Sequence, residues 1–247
     1  MRGEPHPDWI VPDWPAARRV RSLITTRAGG VSSGEFASLN LSARVGDDPA
    51  CVARNRAILR GCLPSEPAWM KQVHGTEVID VSRATSETEA DAAVTRLSGQ
   101  VCAVMTADCL PVLLSERTGR AAGIAHAGWR GLADGVLEKA VRAMGSPPAD
   151  LIAYIGPGIG PRRYEVGDDV RGAFVDDDAG AASAFAPIGA GKHLADLYAL
   201  ARRRLARAGV AGVFGGGFCT ASEERFFSFR RDRTTGRMAS LIWIEDD

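Results

Sequence analysis

A chain of 247 residues with 45% hydrophobic content has enough apolar surface to close a large core, and a single domain spanning residues 1–247 is the expectation. Its 30 Lys and Arg balance its 30 Asp and Glu. No overall field therefore draws it to nucleic acid or to an anionic membrane, and a small-molecule ligand is favoured. The opening MRGEPHPDWIVPDWP places acidic residues and four prolines where an export signal needs an unbroken apolar stretch. No run of about 18 apolar residues occurs, so a cytoplasmic protein without a membrane partner is expected. Five scattered cysteines, none in a C-x-x-C pair, argue against a disulfide framework and against a zinc ribbon.

Residues 18–27 (RRVRSLITTR) read as a strand, 28–42 as a turn-rich loop, and 47–62 as a helix that starts at an Asp cap and ends near Gly61. Residues 67–81 alternate apolar and polar side chains around Gly75, as two strand pieces with a bend would, and 84–95 is expected to be a polar surface connection. The nearly continuous apolar run 100–109 predicts a buried strand, and 111–128 a hairpin. In 132–145 the residues Leu132, Val136, Leu137, Ala140, Val141 and Met144 share one helical face. A buried strand at 151–156, a loop at 156–163 and a short helix around 166–174 follow. The Ala, Gly and Asp-rich stretch 175–192 is expected to be an exposed, mobile loop, and 189–210 a second long helix. Residues 212–247 supply two or three closing strands. Irregular alternation of strands and helices predicts an α/β (α+β) fold, a mixed-sheet sandwich flanked by helices.

Three segments put a metal-ligand side chain directly after a strand: KQVHG with His74, ADCLP with Cys109, and AHAGWRG with His126. Each ligand is bordered by Gly, Ala or Pro, which lets the backbone turn sharply and a substrate approach. Two imidazoles and one thiolate suit zinc, with a fourth position left open as in catalytic sites. Each residue also has a plainer reading: Cys109 as a buried sheet residue, His74 as a loop hydrogen bonder, His126 as a core residue at a strand-to-helix junction. The Gly156–Gly160 loop lacks the spacing of a dinucleotide fingerprint, and Arg202, Arg203 and Arg204 are expected to form a solvated helix face.

KQVHG, ADCLPVLL and HAGWRGL, in that order, resemble the signature of the laccase-domain family. That family was once described as multicopper polyphenol oxidases, is now regarded as purine nucleoside phosphorylases, and is related to peptidoglycan editing factors. TTRAGGVS, SLNLS, VGDDP, GPGIGPRRYEVG and CTASEERFFSFRRDRTTGRMAS extend the resemblance over nearly the whole chain. It implies the YfiH-like mixed α/β sandwich, with His74, Cys109 and His126 as metal and catalytic trio. It also implies the substrates adenosine, inosine, guanosine or methylthioadenosine, and an adenosine deaminase side activity. Arg163 stands where many members carry a cysteine, which argues against a second active cysteine.

Four histidines in the chain cannot furnish both a blue-copper centre and a separate His-rich cluster, so four-copper chemistry is rejected. Zinc is the expected ion, with copper an alternative at the same three ligands. Asp108, beside Cys109, is the candidate acid/base or ligand-orienting group. Arg130 is a candidate phosphate donor, and Arg27, Asn40 and Arg230 are further substrate-binding candidates on the resemblance. Trp129 and Phe36 are candidates for stacking on a base. Two competing readings remain: a Cys-His hydrolase with Cys109 as nucleophile that edits peptidoglycan precursors, and a non-catalytic metal- or nucleoside-binding protein.

Overall fold

The computed structural model describes residues 2–85 and 87–246. It begins with β1 (Val20–Ile24) and α1 (Pro49–Arg60). Asp48 starts this helix by accepting the N–H of Ala50, and Pro49 occupies a first-turn position where no intrahelical donor is needed. The segment 67–81 yields one short strand, β2 (Val78–Asp80), while Ala68 and Lys71 make isolated bridges to Cys102 and Glu89. Four strands follow, β3 (Ala92–Thr95), β4 (Val101–Thr106), β5 (Leu110–Glu116) and β6 (Ala122–Ala127). Helices α2 (Trp129–Ala133) and α3 (Val136–Ala143) lead to β7 (Leu151–Ile155). Next come β8 (Glu165–Gly167), α4 (Asp168–Val175), β9 (Phe185–Gly189) and β10 (Lys192–Ala195). The chain closes with α5 (Leu197–Arg207), β11 (Gly212–Gly215), α6 (Phe229–Asp232) and β12 (Met238–Ile244).

Six strands form a mixed sheet in the order β11-β7-β5-β6-β3-β2, antiparallel except for the outer pairs β11–β7 and β3–β2. A smaller antiparallel sheet, β1-β12-β4, packs on one face of it. Strand alternation sets the layers. Leu113, Ile124 and Tyr154 point toward Val20, Val104, Ile242 and Ile244 between the sheets. Their neighbours Val112, Leu114, Ala125 and Ile155 point the other way, onto Leu137, Val141, Leu200 and Leu205 of α3 and α5. Leu59 of α1, with Leu39, Leu41 and Leu63, closes the outer face of the smaller sheet over Leu23 and Leu241. The α/β mixed-sheet sandwich flanked by helices is thus the fold found. Among the described residues no helix is long and apolar enough to cross a membrane.

The segment 84–95 contains a strand where a polar connection was expected. All four residues of β3 are buried, and their small side chains fit between β6 and β2; the acidic stretch before them masks the strand signal. The helix expected over 132–145 is two, because Gly135 adopts φ 90° between α2 and α3, although the apolar face from Leu132 to Met144 is buried throughout. The helix expected over 189–210 starts at Leu197, where Asp196 caps it by accepting the N–H of Ala199. Residues 185–195, expected as loop and helix, are instead the β9–β10 hairpin, turning through Gly189, Ala190 and Gly191 at positive φ. The Arg202–Arg204 face is not simply solvated: Arg202 donates to the carbonyls of Val213 and Gly215, Arg203 pairs with Asp178, and Arg204 pairs with Glu138 and Asp177.

Candidate metal and substrate site

Three chain reversals meet at one end of the sandwich. Cys109 follows the β4–β5 turn, where Asp108 takes φ 96°; His126 is the penultimate residue of β6; His74 sits in the loop before β2 with φ 60°. The ligand atoms of His74, Cys109 and His126 lie within 4.8 Å of one another. Sγ of Cys109 is 3.8 Å from Nε2 of His74, and the two imidazoles meet edge to face with centroids 4.8 Å apart.

A left-handed conformation at a non-glycine residue costs free energy unless its surroundings hold it. Asp91, fully buried just before β3, holds the His74 loop. Its carboxylate accepts the consecutive N–H groups of Val73, His74 and Gly75 at 3.1, 3.0 and 2.7 Å. It also accepts Nδ1–H of His126 at 2.7 Å, which leaves Nε2 as the ligand nitrogen. The backbone carbonyl of Asp91 takes the N–H of His126 as well. One carboxylate therefore orients two of the three donors.

The glycines of HAGWRG follow from close approach. A Cβ at Gly128 would lie 2.8 Å from Cδ2 of His74 and 3.0 Å from Sγ of Cys109; one at Gly131 would lie 2.6 Å from the Gly75 carbonyl oxygen. Both positions let the His74 loop sit against β6 and α2.

Burial opposes ionisation of the Cys109 thiol, but the charges of His126 and His74 and their hydrogen bonds to it prevail, and its pKa falls to about 6. Burial likewise disfavours a charged His126, yet the Cys109 thiolate and the Asp91 carboxylate raise its pKa to about 9. Asp91 resists burial in the same way, its pKa lowered by His126 and by the loop N–H groups. The metal-free trio is thus a thiolate held by imidazolium, a ligand set primed for a cation that would displace the His126 proton. Two imidazole nitrogens and a thiolate fit zinc or copper by chemistry. Among the described residues this is the only group of three or more such donors gathered closely enough to hold a metal ion. The remaining histidines are engaged elsewhere: His6 accepts the N–H of Asp8, and Nε2 of His193 lies 2.7 Å from Asp168.

The trio opens into a cavity of about 460 Å³. Its other walls include Ser42 and Arg44, Met70 and Gln72, Met105 to Asp108, Ile159 and Tyr164, and Phe229, Arg230 and Arg237. Asp108 and Arg230 are thus at the site. Both oxygens of the Asp108 carboxylate are engaged: Oδ1 accepts the hydroxyls of Thr220 and Ser228 at 2.6 and 2.7 Å, and Oδ2 accepts the Arg230 N–H at 2.6 Å. It fastens the C-terminal loop over the cavity. Arg27, Asn40 and Arg130 lie outside the lining. Arg27 donates to the Ala37 carbonyl and lies over the Phe227 ring; Arg130 is exposed, stacked on Trp129. Asn40 is fully buried, donating to the Ser42 carbonyl and to Asp47 and accepting the N–H groups of Ser42 and Arg237. Neither Trp129 nor Phe36 reaches the cavity wall.

Sequence reasoning missed Asp91, Tyr164, Arg44 and Arg237. Asp91 had one signal, an acid directly before the small apolar run AAVT. Tyr164 and Arg237 lie inside GPGIGPRRYEVG and CTASEERFFSFRRDRTTGRMAS, which marked the segments but not these side chains; Arg44, between SLNLS and VGDDP, had no signal.

A sequence profile of the family described as multi-copper polyphenol oxidoreductase laccase matches residues 21–245. The chain belongs to this laccase-domain family. Within it, a purine nucleoside phosphorylase of Pseudomonas aeruginosa is 52% identical, the match covering 96% of this chain and 99% of its own. The Escherichia coli protein YfiH, also named a purine nucleoside phosphorylase, is 52% identical over 95% and 98% of the two chains. Among solved structures, a Neisseria meningitidis member aligns at TM-score 0.94 and 52% identity, covering 97% of this chain and all of that one. YlmD from Geobacillus stearothermophilus aligns at 0.89 and 31% identity, covering 99% of each chain. This laccase-domain chain shares their mixed α/β sandwich, and its His-Cys-His cluster is a candidate metal site.

Proposed function

We propose that this chain acts as one domain, as a zinc-dependent purine nucleoside phosphorylase for adenosine, inosine, guanosine and methylthioadenosine, with an adenosine deaminase side activity. The observation that carries the reading is the oriented His74–Cys109–His126 set at the base of a cavity walled by arginines and by Tyr164 and Phe229. A concave site of this size, lined by cationic and hydrogen-bonding side chains beside Met70, Met105, Ile159 and Phe229, suits one nucleoside together with phosphate. The relatives named as purine nucleoside phosphorylases support the same reaction.

His74, Cys109 and His126 would hold the zinc, with copper a competitor at the same donors. When bound, zinc supplies Lewis acidity toward an oxygen of substrate or water. The chain's own residues do the rest. Phosphorolysis forms a bond between a phosphate oxygen and ribose C1′ while the C1′–N9 pair leaves with the base, which takes up a proton. Arg44, Arg230 and Arg237 line the cavity and give it the positive charge that an attacking anion needs. Tyr164 brings a phenol to the cavity that burial, reinforced by the negative charge of Cys109, keeps protonated at neutral pH. Asp91 keeps His126 and His74 aimed, and Asp108 acts by holding Arg230 in place rather than by moving protons. Deamination in the same cavity adds water at purine C6 and releases ammonia.

The test is mass-resolved product analysis of the purified protein with adenosine, with and without phosphate, in zinc-loaded, chelated and Cys109→Ala forms. Adenine and ribose 1-phosphate that depend on phosphate and vanish in the variant are expected, with inosine reporting deamination. One observation favours a second reading: a thiol with a pKa of about 6 beside two histidines is also the arrangement of a Cys-His nucleophile. A thiolate committed to metal is a poor nucleophile. Turnover of peptidoglycan precursors by the fully chelated protein, with none on nucleosides, would transfer the assignment to that hydrolase.

A further inference from the structure

Two of the cavity's cations have no carboxylate of their own. Arg237 lines the cavity, and its Nη1 donates only to the carbonyl oxygens of Thr235 and Gly236, at 2.9 and 3.1 Å. Arg230 lines it too, its Nη1 on the Glu165 carbonyl at 2.9 Å and its guanidinium over the Tyr164 ring at 5.1 Å. Neither makes a salt bridge among the described residues. By contrast, Arg203, Arg204, Arg207, Arg225 and Arg231 each pair with an acid. The one carboxylate in the cavity wall, Asp108, spends its acceptors on Thr220, Ser228 and the Arg230 N–H.

A guanidinium taken partly out of water needs a compensating charge, and among the described residues no carboxylate forms an ion pair with either of these two. Burial disfavours the charged form of Arg237, and the charges of Cys109 and Asp108 only partly offset it. Yet the fold goes to some length to put Arg237 there. Its N–H is held by Asn40 Oδ1 at 3.0 Å, and its carbonyl accepts the N–H of Leu41 at 3.2 Å. A Cβ at the preceding Gly236 would lie 2.7 Å from the Phe227 ring and 2.9 Å from Cβ of Asn40, so the loop has no slack.

We infer that Arg237 and Arg230 form the oxyanion clamp of the cavity, a site for a tetrahedral dianion, and that Asn40 is the positioning residue that sets Arg237. The identity of that anion as the attacking phosphate rests on the phosphorylase reading above; the clamp itself rests on the unpaired guanidinium groups. Arg27, Arg130 and Asn40 lie outside the cavity lining and are not part of the clamp. Two planar forks on one tetrahedral oxyanion give the directional, charge-assisted contacts that a single lysine cannot.

Binding of inorganic phosphate to the metal-loaded protein is measured by calorimetry for wild type, Arg237→Gln, Arg237→Lys and Arg27→Ala, and KM for phosphate and for inosine is measured alongside. Arg237→Gln is expected to weaken phosphate binding by about tenfold or more and to raise the phosphate KM in step, leaving the inosine KM within about twofold. Arg237→Lys should recover part of the loss, and Arg27→Ala should bind as wild type does. A folded Arg237→Gln protein with wild-type phosphate affinity overturns the clamp. Should the variants fail to fold, wild-type crystals soaked in phosphate decide: density for the anion against the Arg237 and Arg230 guanidinium groups supports the clamp, and density elsewhere in the cavity overturns it. Absence of ribose 1-phosphate from the wild type would end the phosphorylase reading alone, because the calorimetric comparison judges the clamp without turnover.

Discussion

The base and the wall of the cavity are built on opposite plans. The base comes from three short motifs, two at the ends of a rigid sheet and one in a loop that a buried carboxylate pins to it, each carrying its ligand beside the glycine or turn that exposes it. Much of the wall comes from residues 42–44 and from α6 with the loop after it, almost two hundred residues apart in sequence; Asn40 ties the two together at Arg237, and Asp108 ties α6 to the base. Sheet ends fix donor atoms to within the tolerance that a metal demands, whereas hydrogen-bonded loops tolerate the variation that substrate recognition needs. Substitutions in the base should therefore abolish metal and activity together, and those in the wall should shift one binding constant at a time.

The largest expected effect is at Cys109. Cys109→Ala should lower turnover by about 10³-fold or more and leave the protein with substoichiometric metal, as read by elemental analysis. Full activity in this variant would remove the trio from the reaction. Asp91→Asn tests whether orientation matters as much as ligation. The amide cannot accept from Val73, His74, Gly75 and His126 together with comparable strength, so metal affinity should fall by about 10- to 100-fold in a chelator competition. Unaltered affinity would reduce Asp91 to a folding residue. Gly128→Ala should act in the same direction through sterics alone, since its methyl would press on both His74 and Cys109.

The thiol offers a test in pH. With the pKa of Cys109 lowered to about 6, its alkylation by iodoacetamide in the metal-free protein should be suppressed below that pH, rise through it, and level off by neutrality. An ordinary thiol continues to gain reactivity up to about pH 8.5. The buried thiol of Cys102, pushed upward by burial, should stay unlabelled throughout, which mass mapping would check. Metal should protect Cys109 at every pH. A profile rising only near pH 9 would show that His74 and His126 do not hold the thiolate.

The same contrast explains what could be read from the chain. The β5–β6 hairpin and α1 were legible because apolar period and cap residues agree locally: PVLLSE and AGIAHA run apolar, and Asp48 and Pro49 start the helix. His74, Cys109 and His126 were legible as a set because each sits in a compact motif; Cys109 and His126 lie at strand ends, while His74 stands in a loop that Asp91 holds against them. Asp91 was hidden because its meaning is its partners, four donors from segments 16 to 35 residues away. The β9–β10 hairpin was hidden because Lys192–Ala195 carries no strand-favouring pattern beyond its glycine turn, and its strands are set by pairing with β8 and by α4 beneath them. Asn40 was expected at the substrate, and what the chain hid was its partner, Arg237, 197 residues away.

The smallest predicted effect separates the rim of the cavity from its wall. Arg130 lies outside the lining and on the surface, yet close enough for its charge to act on Tyr164. Its contribution to phosphate capture is a field, not a contact, and fields between exposed charges are screened over about 10 Å at 0.1 M salt. Arg130→Ala should therefore slow phosphate association only a few-fold at low salt and by almost nothing at physiological ionic strength, as measured by stopped-flow. The loss at Arg237, a partly buried contact, should persist at both. Equal salt dependence in the two variants would mean that Arg130 reaches into the cavity, and that rim and wall are one surface.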